Sequence, residues 1–549
     1  MIRLLKILVG LLVMLLTFSG CESFLDVKSD SVIFPDENQL DSPNDTIYSM
    51  VGIFSQLEKL AERYVLLGEL RGDLMDLTSL ASTDLQEIYN HSVSEDNPYN
   101  QIEDYYAVIN NCNYLITRMD TSVVSGGKKV LYKEFAAAKA IRAWTYLQLA
   151  LNYGSVKYYT QPILTIKDAE NYTEYKLNEL ASILIQDILP FKDIPKPGII
   201  SFGSALNSSY WSYFPINFLL GDLYLWNGEY ENAARAYYEL IVDDEYIMNT
   251  YTRNTWTVVN GVFVKREYEN TRWPFQFTRG SELITLIASS TENGKGDLLD
   301  SITTGRIEVI PSQVALNNWN EQTYYYSSTV ATEGDLRGDW GSYMAPNSTV
   351  LFGDLEINFG FSSTQNAIFK YYDMSFDEAK YISVYRAALL YLRYSEAVNR
   401  AGKPNLAFAT IKNGLSSETM SFDTVVPPRE KYINGEKGQF VDYANFEDDM
   451  FEYSIGVHER GCGNVNQSVD FVIPALATLN DTIEWVEDKI VTELALETAF
   501  EGNRFHDLMR VALRRNDPSY LADKVAAKYT SNQEAIRSKL MSEDDWYLK

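Results

Sequence analysis

Within the segment Ile216 to Leu240, Gly221, Tyr224, Gly228, Tyr230, Ala233 and Tyr237 fall at the spacings of a tetratricopeptide repeat. No other feature limits the fold of this chain so tightly. Two short helices that cross closely need small residues at the crossing, and Gly221 and Ala233 supply them. A turn of one or two residues needs a glycine, and Gly228 stands there. Tyr224 and Tyr237 are bulky enough to fill the gap between the pair. A weaker copy runs from Tyr385 to Leu415, with Gly402-Lys403-Pro404 at the turn, Ala407 at the small position and Ile411 at the bulky one. A generic helical hairpin also satisfies this second copy, and the wide gap between copies argues against a uniform solenoid.

More helix surrounds the first copy. Asn97-Pro98 reads as an N-cap with Pro in the first turn. Tyr99, Ile102, Tyr105, Ile109, Cys112 and Ile116 then line one helix face. That helix is expected to end before Ser125-Gly126-Gly127. The next carries Leu131, Phe135, Ala138, Ile141, Trp144, Leu147 and Leu151 and stops at Gly154, giving an αα-hairpin joined by a short glycine turn. Between about 250 and 380 the period changes. Thr255 to Val259, Asn260-Gly261 and Val262 to Val264 read as a β-hairpin, and Glu282 to Ile287 as a short strand. Residues 421–487 are also irregular, and helix returns from about Asp488 through Arg514. The expected fold class is mainly α, a tetratricopeptide-like helical-hairpin scaffold with an inserted loop-rich, partly β ligand face. The scaffold occupies about 40–245, 380–420 and 488–515, and the inserted face about 250–380 and 421–487. No low-complexity linker divides the chain, so residues 21–549 are expected to form a single domain.

Residues 1–20 read as an address. Arg3 and Lys6 precede an apolar run to Phe18, too short to span a bilayer comfortably, and Ser19-Gly20 stand directly before Cys21. This pattern resembles a bacterial lipoprotein signal, implying cleavage before Cys21, acylation of its thiol, and a mature protein that is anchored without spanning. Cys112 and Cys462 then remain, too few for a disulfide framework, and no disulfide is expected. The formal net charge of −28, or −30 once Arg3 and Lys6 are removed, repels phosphate backbones and argues against nucleic acid as the main partner.

Motifs for chemistry are scarce. The sequence contains no G-x-S-x-G, H-E-x-x-H, Walker A or G-x-G-x-x-G pattern. Ser125-Gly126-Gly127-Lys128 matches S-x-x-K but lacks its K-T-G partner. His91, His458 and His506 are too dispersed to indicate a metal site. No catalytic residue, cofactor or metal is expected. A surface hydrolase stays unsupported, because nothing singles out one carboxylate pair among 75 Asp and Glu. Aromatic residues are the better lead. Trp319, Tyr324, Tyr325, Tyr326, Trp340 and Tyr343 crowd the irregular region, interleaved with Asp335, Arg337 and Asp339. Flat rings stack on the C–H faces of sugars while such polar groups bond the hydroxyls. The competing reading is that the same rings pack the inserted face onto the helices.

Several segments together resemble the SusD/RagB family, surface lipoproteins of Bacteroidetes nutrient uptake. Cys21-Glu22-Ser23-Phe24-Leu25-Asp26 is similar to the family's mature start, and Glu69-Leu70-Arg71-Gly72-Asp73 to its E-L-R-x-D element. Arg142-Ala143 through Tyr153-Gly154, Arg393-Tyr394-Ser395-Glu396-Ala397 and Glu497 to Leu508 resemble its later helix motifs, in order along almost the whole chain. The resemblance implies a tetratricopeptide-like scaffold and an outer-membrane lipid anchor facing the cell exterior. It also implies a SusC-like TonB-dependent transporter over which the protein acts as a lid. The implied ligand is an oligosaccharide or, as an alternative, a peptide, and a helical adaptor gripping another protein is a further alternative. Glu501, Arg504 and Asp507 are expected in a helix-terminal ion network. Positions similar to the family's ligand face are Asp73 to His91, the loop Ser289 to Leu298, and Trp319 to Trp340. The candidate ligand residues are therefore Asp73, Tyr89, His91, Asn293, Trp319, Tyr324, Tyr325 and Trp340. The loop Ser289 to Leu298 departs from the family in having no aromatic, which leaves room for a charged or peptide ligand.

Overall fold

The computed structural model describes residues 43–549 apart from 170–171, 198–208, 243–245, 247, 249–254, 260–261, 267–281, 291–297, 328–329, 340, 347–349, 353–354, 358–363, 372–378 and 463–469. Residues 1–20, expected to be a signal, and Cys21 therefore lie outside the described residues. In chain order the helices that build the scaffold are α1 (Pro43–Glu69), α2 (Thr83–Tyr89), α3 (Ile102–Arg118), α4 (Tyr132–Tyr153), α5 (Leu177–Ile188), α6 (Ile216–Asn227) and α7 (Tyr230–Ile241). They are followed by α8 (Gln313–Asn320), α9 (Ala387–Arg400), α10 (Pro404–Lys412), α11 (Leu479–Glu497), α12 (Arg504–Arg515), α13 (Pro518–Ala526) and α14 (Gln533–Leu540). The main strands are β1 (Met75–Leu77), β2 (Val124–Ser125), β3 (Lys128–Lys129), β4 (Thr255–Val259), β5 (Val262–Arg266), β6 (Leu283–Ser290), β7 (Val309–Pro311), β8 (Thr323–Ser327), β9 (Val330–Glu333) and β10 (Ala379–Arg386).

The fold is mainly α. Helix packs on helix along the array α1, α3, α4, α5, α6, α7, α9 and α10; α11 then joins α9, and α12 returns to α1. The strands form two-stranded pairs between these helices: β1 with β7, β6 with β10, and the hairpins β2–β3, β4–β5 and β8–β9, all antiparallel. The chemistry of the first repeat is as its spacing predicts. Gly228 closes α6 in the left-handed region (φ 76°), where glycine carries no Cβ penalty. A Cβ on Gly221 would lie 2.4 Å from the Tyr237 ring, so only glycine lets α6 and α7 approach this closely. Tyr237 and Tyr385 both donate hydroxyl bonds to Asp222 (2.6 and 2.8 Å), fixing the repeat to the end of β10. The second copy forms α9 and α10, turning at Gly402 (φ 83°) with Pro404 in the first turn of α10.

Four expectations are corrected. Helix α3 begins at Ile102, because Asn97 is already committed to a turn: its Oδ1 accepts from the Tyr99 amide and its Nδ2 donates to the Asp84 carbonyl and Glu87. The connection to α4 is the β2–β3 hairpin, with Gly126 and Gly127 both at positive φ (58° and 78°), as a tight primed turn requires. Helix α4 is buried on nearly every side from Ala136 to Asn152, since α1, α3, α5 and α6 surround it. The helix read over 488–514 starts earlier, at Leu479, and is two helices: α11 ends at Glu497 and α12 begins at Arg504, with Phe500 (φ 71°) and Gly502 (φ 95°) breaking the path between them. The strand read at 282–287 is β6. Its partner β10 lies about ninety residues on, where no local signal announces it.

Candidate ligand-binding face

The segment Glu497–Arg504 organises the inserted face. The Glu69 carboxylate at the end of α1 accepts hydrogen bonds from the backbone N–H groups of Phe500, Gly502, Asn503 and Arg504 at 2.9–3.2 Å, capping the start of α12. Burial pushes Glu69 up to about 7 against the pull of these amides. A Cβ on Gly68 would lie 1.8 Å from the Gly502 carbonyl oxygen, so the two backbones touch. On the other side, all five N–H donors of Arg386 are used, by Glu282, Glu501 and both the carboxylate and carbonyl of Glu497, at 2.7–2.9 Å. Arg337, Lys370 and Arg460 complete this buried cluster against Glu493, Glu497, Glu501, Glu282 and Asp335, and His458 Nδ1 lies 2.5 Å from Glu493. Burial alone would raise Glu497 and Glu501, but the surrounding arginines and lysine outweigh it and hold both below the usual carboxylate range. The expected ion network at Glu501, Arg504 and Asp507 exists, but its members reach different partners. Glu501 binds Arg386 and Lys370, Arg504 grips Asp73, and Asp507 binds Arg393 and Arg510.

Against this hub the candidate ligand residues separate. Asp73 is a correction: its two carboxylate oxygens take Arg504 Nε and Nη2 at 2.6 and 2.8 Å, and the pair is buried. His91 is a second correction. Its ring is buried against Phe505 (5.8 Å), and burial together with Lys528, Arg71 and Lys539 holds its pKa well below the usual value. Trp319 is a third: it is 1% exposed, donates Nε1 to the Leu496 carbonyl (3.0 Å), and packs on Tyr343 and Phe500. A Cβ on Gly338 would lie 2.8 Å from Trp319, so the glycine of that loop serves to pack the ring. Tyr324 is the fourth: it is buried, with its hydroxyl on Asp335 (2.8 Å). Asp335 is taken up by Arg337 and the Tyr324 hydroxyl, and Arg337 by Asp335, Glu493 and Glu497, so neither is left for a ligand. These aromatics and acids are what attaches the inserted face to α11.

Two candidate rings stay at the surface. Tyr89, at the end of α2, is half-buried, stacked at 4.6 Å on Tyr529, and donates its hydroxyl to Asp76. Lys528 lies over the same ring at 4.3 Å. Tyr325 is half-buried on β8, facing opposite to Tyr324 as strand alternation requires. The loop before α2 carries Leu80, 68% exposed. Asn293 and Trp340 lie outside the described residues. Asp76, Lys528 and Tyr529 were missed by sequence reasoning because they meet Tyr89 only through the tertiary fold. Glu493 and the ladder it forms with Glu497 and Glu501 were missed as well, although their recurrence every four residues inside an apolar run is a signal for buried cationic partners. A cavity of about 30 Å³ behind the hub, lined by Trp144, Asp222, Tyr385, Arg393, His506 and Arg510, has room for about one water and none for a sugar.

Among the described residues, no group of His, Cys, Asp and Glu is arranged to hold a metal, and no helix is long and apolar enough to cross a membrane. Cys112 and Cys462 are buried and are not joined in a disulfide. Fold and face together define a helical-hairpin scaffold carrying a loop-built surface. This is also the fold of a SusD superfamily protein of Bacteroides thetaiotaomicron, matched with a TM-score of 0.57 at 15% identity over 93% of this chain and 95% of that one. A SusD-like carbohydrate binding protein of Bacteroides fragilis matches with a TM-score of 0.51 at 15% identity over 87% and 88% of the two chains. In sequence, the SusD-like protein P38 of Formosa agariphila is 22% identical over 532 residues, covering 91% of this chain and 90% of that protein. No family model matches the chain. The chain thus shares the fold of SusD superfamily proteins and is similar over most of its length to a SusD-like protein.

Proposed function

We propose that this protein is a non-enzymatic, surface-exposed lipoprotein that captures oligosaccharides and acts as the lid of a SusC-like TonB-dependent outer-membrane transporter. The observation that carries this reading is similarity over 91% of the chain to a SusD-like protein, joined to a fold shared with a SusD-like carbohydrate binding protein. Cys21 is the acylated residue that holds it to the outer membrane. Within the face, Tyr89 with Asp76, and Tyr325, are the ligand contacts, because their rings remain partly open while Trp319 and Tyr324 are committed to packing. Ring stacking supplies affinity and Asp76 a hydroxyl acceptor, a division of labour usual in small-ligand sites.

The test is glycan-array binding by the protein, followed by titration of the best ligand against Tyr325→Ala and Tyr89→Ala. Each is expected to weaken binding by about tenfold at unchanged fold, as for an aromatic contact residue. Binding to peptides alone would replace the ligand class, and release of product from a bound glycan would overturn the non-enzymatic reading.

A further inference from the structure

Several helices meet behind the Glu497–Arg504 segment. Helix α4 brings Trp144, α6 Asp222, α9 Arg393, and α12 His506 and Arg510, and the space between them is the cavity of about 30 Å³. The bonds of Arg71, in the turn after α1, fix what His506 presents to that space. Arg71 is buried with no carboxylate among its partners. Its Nε donates to the Leu67 carbonyl (2.7 Å) and its Nη1 to the Trp546 carbonyl (3.0 Å). Its Nη2 donates to Asn152 Oδ1 (2.5 Å) and lies 3.2 Å from His506 Nε2. A guanidinium only donates, so His506 Nε2 is the acceptor and the ring proton sits on Nδ1. Burial, joined by Arg71, Arg510 and Arg393, holds His506 well below its usual pKa, which keeps the ring neutral. Among the described residues nothing accepts from Nδ1–H.

Two more donors on the lining residues lack an acceptor. Trp144 Nε1 is buried without a partner. Arg393 gives Nη1 to Asp507 (2.5 Å), while its Nε stands 3.7 Å from Asp222 Oδ1, beyond hydrogen-bond range. Among the described residues that line the cavity, Asp222 is the one carboxylate. Each of its oxygens is taken once, by Tyr237 or Tyr385, and keeps a second lone pair. The occupant must therefore accept from His506 and donate to Asp222. An anion does the first and not the second. Nor does the local charge attract one, since Arg71, Arg393 and Arg510 are matched in number by Asp222, Asp507 and Glu396. A water does both, and a polar gap slightly too long for a direct bond is where a bridging water belongs.

We propose that one buried water occupies this cavity, accepting from His506 Nδ1 and donating to Asp222, with Arg393 Nε and Trp144 Nε1 sharing its second lone pair. The water completes a hydrogen-bonded chain from Arg71 through His506 to Asp222 and on to Tyr237 and Tyr385. That chain ties the turn after α1 to the first helical repeat. Asn503 lines the same cavity and accepts from the Tyr64 hydroxyl (3.1 Å), so the site also borders the break between α11 and α12 that carries the inserted face. It does not depend on which ligand that face takes.

High-resolution crystals of the full chain, with and without a bromide soak, test it. One water peak is expected within about 3.2 Å of both His506 Nδ1 and an Asp222 oxygen, with no bromide signal there. An empty cavity, or bromide in it, overturns the proposal. Nitrogen-15 spectra of the histidine rings supply a second reading, because the chain has only three histidines. His506 is assigned by its loss in His506→Gln or, should that variant not fold, by elimination with His91→Gln and His458→Gln. Its ring is expected to stay neutral, with the proton on Nδ1, from about pH 5 to 8. A proton on Nε2, or a ring that titrates in that range, breaks the chain at Arg71 and overturns the proposal even where a water is seen.

Discussion

Replacing Arg386 by Met removes a cation whose five N–H donors are all used by Glu282, Glu497 and Glu501 at 2.7–2.9 Å, inside a cluster where each partner is under about a tenth exposed. Breaking a buried ion pair by deleting one partner typically costs about 3–5 kcal/mol, because the other charge stays buried without compensation. Here the orphaned carboxylates keep some support: Glu497 retains Arg337 and Arg460, Glu501 retains Lys370, and Glu282 retains Arg460. The loss is therefore expected near the lower limit, about 3 kcal/mol. Glu497 and Glu501 are held below their usual pKa of 4.5, so in the wild type their stabilising contribution is fully present above that value and is lost as pH falls through the folded values. The variant lacks much of that contribution. Urea unfolding should show the largest gap between wild type and Arg386→Met at neutral pH, narrowing below about pH 4.5. Arg386→Lys should fall between them, since a single ammonium cannot span three carboxylates. A gap under about 1 kcal/mol at neutral pH, or one that does not change with acidification, would refute the view that this cluster holds the inserted face to the helices.

Three further outcomes follow from the same contacts. Trp319→Ala should cost about 3–5 kcal/mol in thermal or urea unfolding, as for a large buried ring, and should lower ligand binding only in proportion to lost folded protein. Gly221→Ala should destabilise by about 1–3 kcal/mol through overpacking against the Tyr237 ring, and adding Tyr237→Leu should recover part of the loss in thermal midpoint. Lys528 is held down to about 7 by burial, with Asp76, Asp73 and Glu69 only partly opposing. Between about 7 and 10.5 the unfolded chain binds a proton that the folded chain does not, so stability should rise with pH across that window and Lys528→Met should flatten the rise.

The legibility of this chain varied with the range of the interaction. Gly221, Gly228 and Gly402 announced their hairpins because helix crossing and turn closure are decided within a few residues. The Asn97-Pro98 signal failed because the preceding helix α2, through Asp84 and Glu87, took the asparagine side chain. At the candidate face, Trp319 and Tyr325 carry the same local signature of an aromatic among polar neighbours. Only the packing of α8 on α11 turns one inward, and only strand alternation leaves the other partly open.

By itself the sequence determined the helical-hairpin scaffold and its glycine turns, and it spaces Glu493, Glu497 and Glu501 four residues apart, because periodicity and backbone conformation are local properties of a chain. The tertiary structure alone decided which charges neutralise that ladder, since Arg386, Arg337 and Arg460 reach it from separate elements 37 to 160 residues away. It also decided which aromatic rings remain available to a ligand. Burial depends on what a distant segment brings to lie over each side chain, and no spacing within a segment encodes that.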